Sequence, residues 1–182
     1  MGAMEVKVKF TYEDYRHMPE DKRCELIEGE LVMVSSPITV HQRILRKLGF
    51  ILVEFVQKNN PGEVFYAPFD VVLSGENVVQ PDILFVSRER SSIITAENIK
   101  GAPNLVIEIT SPATQYRDRE IKRKLYANYG VKEFWLVDLD KQTIEVMELG
   151  EGGFKTTAVY TKGEKVQSLT LVGLSFDPRE IF

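Results

Sequence analysis

The chain has 182 residues, 43% of them hydrophobic and 27% charged, with a formal net charge of −4. That composition can bury a sizeable core and is not that of a disordered protein, while the negative balance argues against a strong sequence-blind grip on nucleic acid unless basic residues are segregated on one face. No apolar run approaches the roughly 18 residues needed to cross a bilayer, and the lone Cys24 cannot close an internal disulfide, which fits a reducing cytoplasm.

Met1-Gly2-Ala3 reads as a tag remnant ahead of a natural start at Met4, and the absence of repeats or linkers predicts one domain over residues 1–182. Thr11 followed by Asp14 predicts a capped helix that stops near Pro19. Glu25 to Ser35 reads as a hairpin turning at Glu28-Gly29. Residues 39 to 58 carry the strongest helical signal, with Ile44, Leu45, Leu48, Ile51, Leu52, Phe55 and Val56 at helical spacing. Asn59-Asn60-Pro61-Gly62 ends that helix. Val64 to Leu73 and Val78 to Val86 read as two strands of a second hairpin, joined at Ser74-Gly75-Glu76-Asn77.

After a stretch of little pattern, 87–101, Asn104 to Thr110 is almost wholly apolar and predicts a central strand buried on both faces. Residues 118 to 129 read as a helix ended by Gly130. Glu133 to Asp138 predicts another central strand, Thr143 to Glu148 and Phe154 to Tyr160 predict antiparallel edge strands, and Val166 to Leu174 a further short strand. The pattern is that of an α+β protein, a mixed β-sheet flanked by α-helices with additional antiparallel hairpins.

Two acids stand out. Glu108 interrupts the apolar run Leu105-Val106-Ile107-Ile109, and Asp82 precedes Ile83-Leu84-Phe85-Val86. A buried carboxylate is costly unless paired. Two on neighbouring strands can converge on one hard cation such as Mg²⁺, with the Ile109 carbonyl as a third ligand. Pairing with Arg or Lys, or exposure at strand ends, is the other reading.

On a helix advancing about 100° per residue, Lys122 falls near 40° from Asp118. Tyr126, Tyr129, Ile121 and Leu125 fall within the same arc, which turns Lys122 toward the sheet. An Asp118–Lys122 pair at i,i+4 spacing is the alternative use of that lysine. Two basic clusters, Arg43-Arg46-Lys47 and Arg117-Arg119-Lys122-Arg123-Lys124, either receive phosphates or form solvated helix faces. There is no Gly-rich phosphate loop, no zinc-spaced Cys or His and no Gly-x-Ser-x-Gly elbow.

Several blocks in order resemble the Uma2 family of restriction-endonuclease-like proteins. They are 79–86 (VVQPDILFV without its first residue), 101–112 (GAPNLVIEITSP), 118–126 and 129–138 (YGVKEFWLVD), with 25–32 (ELIEGELV) and His41 also fitting. The resemblance implies a PD-(D/E)XK nuclease core that hydrolyses phosphodiesters, expected in DNA, with Mg²⁺ or Mn²⁺. Pro81-Asp82 would supply the first motif element and Glu108-Ile109-Thr110 the second. Thr110 stands where the core motif has lysine; the resemblance implies that Lys122, on the following helix, replaces it. Glu25 and His41 match accessory positions, for a second metal or a water and for phosphate. The resemblance further implies a homodimer. The competing expectation is a silent nuclease-fold module that binds nucleic acid or a protein partner.

Overall fold

The computed structural model describes residues 8–19 and 23–182; the tag remnant read at 1–3 lies outside the described residues. The first helix, α1 (Tyr12–Arg16), starts at the expected capping box, in which Thr11 accepts from Asp14 N and the Asp14 carboxylate accepts from Thr11 N. The first hairpin, β1 (Cys24–Ile27) and β2 (Glu30–Met33), turns through Glu28 and Gly29, both at positive φ. The long helix α2 (Thr39–Asn59) ends at Asn60 in the left-handed conformation.

The two long strands expected after α2 are each divided in two, and the halves belong to different sheets. β3 (Gly62–Tyr66) and β6 (Ile83–Ser87) pair in one sheet, while β4 (Val71–Ser74) and β5 (Asn77–Val79) form a hairpin in another. Pro68 and Pro81 lie at the two divisions. Proline has no N–H to give the ladder, so the chain leaves one sheet and joins the next at these points. The segment 87–101 contains a 3₁₀ turn (Arg88–Ile93) and the short β7 (Ile99–Lys100).

The remaining strands are β8 (Leu105–Thr110), β9 (Glu133–Asp138), β10 (Thr143–Gly150), β11 (Gly153–Tyr160), β12 (Val166–Gln167) and β13 (Ser175–Phe176). The larger sheet has the order β11-β10-β9-β8-β6-β3, the smaller β2-β1-β5-β4-β7. β8 and β9 are parallel and buried at every residue, as their apolar runs require. β10 lies inside the sheet rather than at its edge, because β11 covers it. The strand expected over 166–174 is only two residues long; the chain instead bends at Ser168 to Thr170, whose polar groups bond the buried Glu133 carboxylate.

Alternation along β8 divides the core. Leu105, Ile107 and Ile109 pack on α2 through Ile44, Leu48, Leu52 and Val56, each such burial contributing about 2 kcal/mol. Val106 faces the other side, where α3 (Arg123–Tyr129) brings Leu125 and Tyr126 against Phe134 and Leu136. The helix expected over 118–129 is not uniform: Arg117–Lys122 is a π turn, in which Arg123 N–H bonds Asp118 C=O, and only then does α3 begin. The wider turn keeps Asp118 and Lys122 inward but swings Ile121 out, to 39% exposure, against the expectation that it packs on the sheet. Tyr129, placed in the same arc, is also partly exposed and bonds Asn77 through its hydroxyl.

The architecture is α+β: a mixed β-sheet flanked by helices, with antiparallel hairpins beside it. Among the described residues no helix is long and apolar enough to cross a membrane.

Candidate active site

Asp82 sits in the bend that ends the β5–β6 break. Continuing the register Ile83↔Ile107 by one step sets it opposite Glu108, and directly opposed residues of antiparallel strands face the same side. Asp82 Oδ2 accepts from Ile109 N–H at 2.8 Å and from His41 Nε2–H at 3.1 Å. A carboxylate only accepts, so this contact places the imidazole proton on Nε2. In a strand, the N–H and C=O of one residue share an edge. The Ile109 carbonyl therefore lies on the Asp82 side, while Thr110 turns the other way and accepts from Leu139 N–H at 3.2 Å.

Glu108 occupies the face toward α3. Its Oε1 accepts from Lys122 Nζ at 2.9 Å and from Tyr126 OH at 2.6 Å. Lys122 Nζ also meets Glu25 Oε1 at 2.7 Å, and that oxygen accepts from Gln80 N–H at 2.8 Å. The lysine thus bonds across to two strands rather than along its own helix to Asp118. Thr110 cannot supply an ammonium; its hydroxyl contacts Thr114 at 3.3 Å. These bonds leave Oδ1 of Asp82 and Oε2 of Glu108 uncommitted, and the buried Oε2 of Glu25 has no hydrogen-bond partner among the described residues, with Arg117 Nη1 3.9 Å away.

Asp82, Glu108, Ile109, Lys122, Glu25 and His41 border one cavity of about 240 Å³, with Tyr126 behind Glu108. Four carboxylates, from Glu25, Asp82, Glu108 and Asp118, face it against the cations of Lys122, Arg117 and Arg23. Burial first, and the surrounding charges after it, set the local proton affinities. Burial pushes the Glu108 carboxyl up to about 8; Lys122 pulls it back, while Asp118, Asp82 and Glu25 push it further. Burial raises Asp118 too, with Lys122 opposing. For Lys122 burial acts to lower the pKa, but Glu108, Glu25 and Asp118 outweigh it and hold the ammonium above the ordinary lysine range. Burial and the neighbouring carboxylates raise the Tyr126 phenol well above its usual value, so it acts as a donor.

Among the described residues no three His, Cys, Asp or Glu side chains form a cluster that could hold a metal ion. The expected set of Asp82, Glu108 and the Ile109 carbonyl is of another kind, two carboxylates and a backbone oxygen, and suits a hard cation that keeps most of its waters. The unpartnered Glu25 oxygen and the negative surplus fit a cation here.

The structure brings Asp82, Glu108, Ile109, Lys122, Glu25 and His41 to one place. His41 is bonded to Asp82 rather than standing free. Tyr126, Asp118 and Arg117 belong to the cavity surroundings without having been assigned a role from sequence; the i,i+4 spacing of Lys122 and Tyr126 on an inward arc was the available signal. The basic clusters do not form one phosphate face. Lys47 bonds the carbonyls of Ile181 and Phe182, Arg119 pairs with Glu145 and Asp138, and Arg123 bonds Phe154 C=O.

A mixed sheet with an acid at a strand break, an acid on the neighbouring strand and a helix-borne lysine between carboxylates defines a restriction-endonuclease-like fold. The chain belongs to the Uma2 family, described as "Putative restriction endonuclease", whose profile matches residues 12–179. Family membership points to a hydrolase acting on nucleic acid, and folds of this kind generally use divalent metals. Among solved structures, a "putative nuclease belonging to DUF820" from Anabaena variabilis ATCC 29413 is similar, with 21% identity and a TM-score of 0.79 over 95% of this chain and 97% of that one. That likeness shows the fold. No curated protein matches the chain.

Proposed function

We propose that the chain is a single-domain, divalent-metal-dependent endonuclease that hydrolyses phosphodiester bonds in DNA, acting as a homodimer, with Mg²⁺ the fitting ion and Mn²⁺ able to replace it. The observation that carries this reading is the convergence of Asp82, Glu108 and Lys122 on one cavity with a surplus of carboxylates.

Asp82, Glu108 and the Ile109 carbonyl would hold the cation. Its chemistry there would be to lower the pKa of an attacking water and to neutralise charge on the scissile phosphate. His41 fixes the orientation of Asp82, and Tyr126 that of Glu108. Lys122 carries a permanent proton at Nζ beside the reacting phosphate and stabilises charge as it develops. Glu25 positions that ammonium from the opposite side. Arg117 and Arg23, bordering the cavity, meet the phosphates flanking the cut.

The test is cleavage of plasmid and linear DNA by the purified chain with Mg²⁺, with Mn²⁺ and with chelator. Asp82→Ala and Glu108→Ala should abolish metal-dependent cutting while circular dichroism stays that of the parent. Unchanged cutting by the double variant overturns the proposal. A module without catalysis would show neither cutting nor Mn²⁺ binding by calorimetry.

A further inference from the structure

The exposed side of α2, away from the cavity, carries an apolar surface that neither sheet covers. Phe50 stands at its centre with 67% of its surface exposed. Beside it runs a groove of about 450 Å³ lined by Leu45, Arg46, Gly49, Phe50, Val53 and Tyr66. Tyr66 walls the groove where it packs on Gly49. The Tyr66 ring lies against that residue so closely that a Cβ there would come within 2.7 Å of Cε1, and its hydroxyl donates to Gly49 C=O at 3.0 Å. An exposed phenylalanine beside an open groove is apolar surface that a second copy of the chain would bury.

The charges around this surface are self-complementary. Arg46 precedes Phe50 by one helical turn and Glu54 follows it by one, both exposed and without an ion-pair partner among the described residues. If two copies of α2 cross antiparallel about a two-fold axis at Phe50, Arg46 of each copy faces Glu54 of the other. Each Phe50 then enters the other's groove. An isologous interface demands this reciprocity, in which residue i meets j and j meets i. Opposite charges placed symmetrically about one aromatic residue are matched by a second copy of the same helix, each charge meeting its opposite.

We propose that this face of α2 is the surface through which two copies of the chain associate, with Phe50 as the anchor and Arg46–Glu54 pairs on either side. The proposal gives a surface to the pairing contained in the nuclease reading, and it is read by mass rather than by cleavage, so the two can fail separately.

The experiment is sedimentation equilibrium of the full chain from low to high micromolar concentration. The parent should approach twice the monomer mass. Phe50→Asp should raise the dissociation constant about 30-fold or more, the loss expected for a central anchor, with an unchanged melting profile for the monomer. Arg46→Glu and Glu54→Arg should each weaken the dimer, and the two together should restore it, because each new glutamate faces a new arginine across the axis. A parent that stays monomeric throughout overturns the proposal. So does a dimer indifferent to Phe50→Asp, a double exchange that fails to restore association, or an Arg46→Glu variant that loses only affinity for DNA.

Discussion

Lys122 Nζ lies 2.7 Å from Glu25 Oε1 and 2.9 Å from Glu108 Oε1, so one buried ammonium joins a carboxylate of the smaller sheet to one of the larger. Lys122→Met would leave both carboxylates buried without their shared cation. Removing one member of a buried charge set costs about 3–5 kcal/mol. Urea denaturation at neutral pH should show a loss of that size, and a change under about 1 kcal/mol would mean that the ammonium is not the joint described here.

Glu25→Gln keeps an oxygen for Gln80 N–H but removes the charge that holds Lys122 from the smaller sheet. Cleavage should fall about 10–100-fold, the usual cost of losing a supporting partner. KM for DNA should hardly move, so that the loss falls on kcat. A change confined to KM would contradict the positioning role.

The metal-free chain should lose stability as pH rises. Glu108 has its carboxyl raised by burial to about 8, above its unfolded value near 4.5. The folded state therefore holds a proton that the unfolded state has released, and the stabilisation, complete below about 4.5, is lost as pH climbs through about 8. Glu108→Gln has no such proton to lose. Thermal melts of the two chains in chelator should draw apart across that window, with the parent falling relative to the variant; parallel curves would count against the burial argument.

Glu133 is fully buried and accepts from Trp135 Nε1, Ser168 Oγ and the N–H groups of Leu169 and Thr170. Glu133→Ala strands four donors. With roughly 1–3 kcal/mol for each unsatisfied buried group, moderated by water entering the gap, a loss of about 3–5 kcal/mol is expected. Hydrogen exchange should become faster at residues 168–171 before the rest of the sheet is affected.

Much of this was legible in the sequence because buried strands and long amphipathic helices announce themselves by period. β8, β9 and α2 lie where their apolar residues predict, and Glu108 and Lys122 were conspicuous as charges in apolar surroundings. The passage of the chain between two sheets was hidden inside two apolar runs. Pro81 was the visible signal, since a proline within a strand pattern argues for a break. The π turn left no trace: a uniform 100° wheel places Lys122 inward correctly and Ile121 wrongly. The partners of Glu133 were unreadable as well, because they come from a distant bend with no periodic pattern.

The π turn makes the spacing of this segment a matter of count as well as of chemistry. A turn closed over five residues holds one more than an α-helical turn. Deleting the outward-facing Ile121 would let the helix tighten and rotate what precedes it by about 100° relative to α3, taking Asp118 away from the cavity while Lys122, Leu125 and Tyr126 keep their seats. Insertions and deletions between Arg117 and Arg123 should therefore be tolerated far less than at the exposed Gly152 turn, where the chain is free to lengthen. A folded Ile121 deletion with full cleavage would show that the extra residue is dispensable.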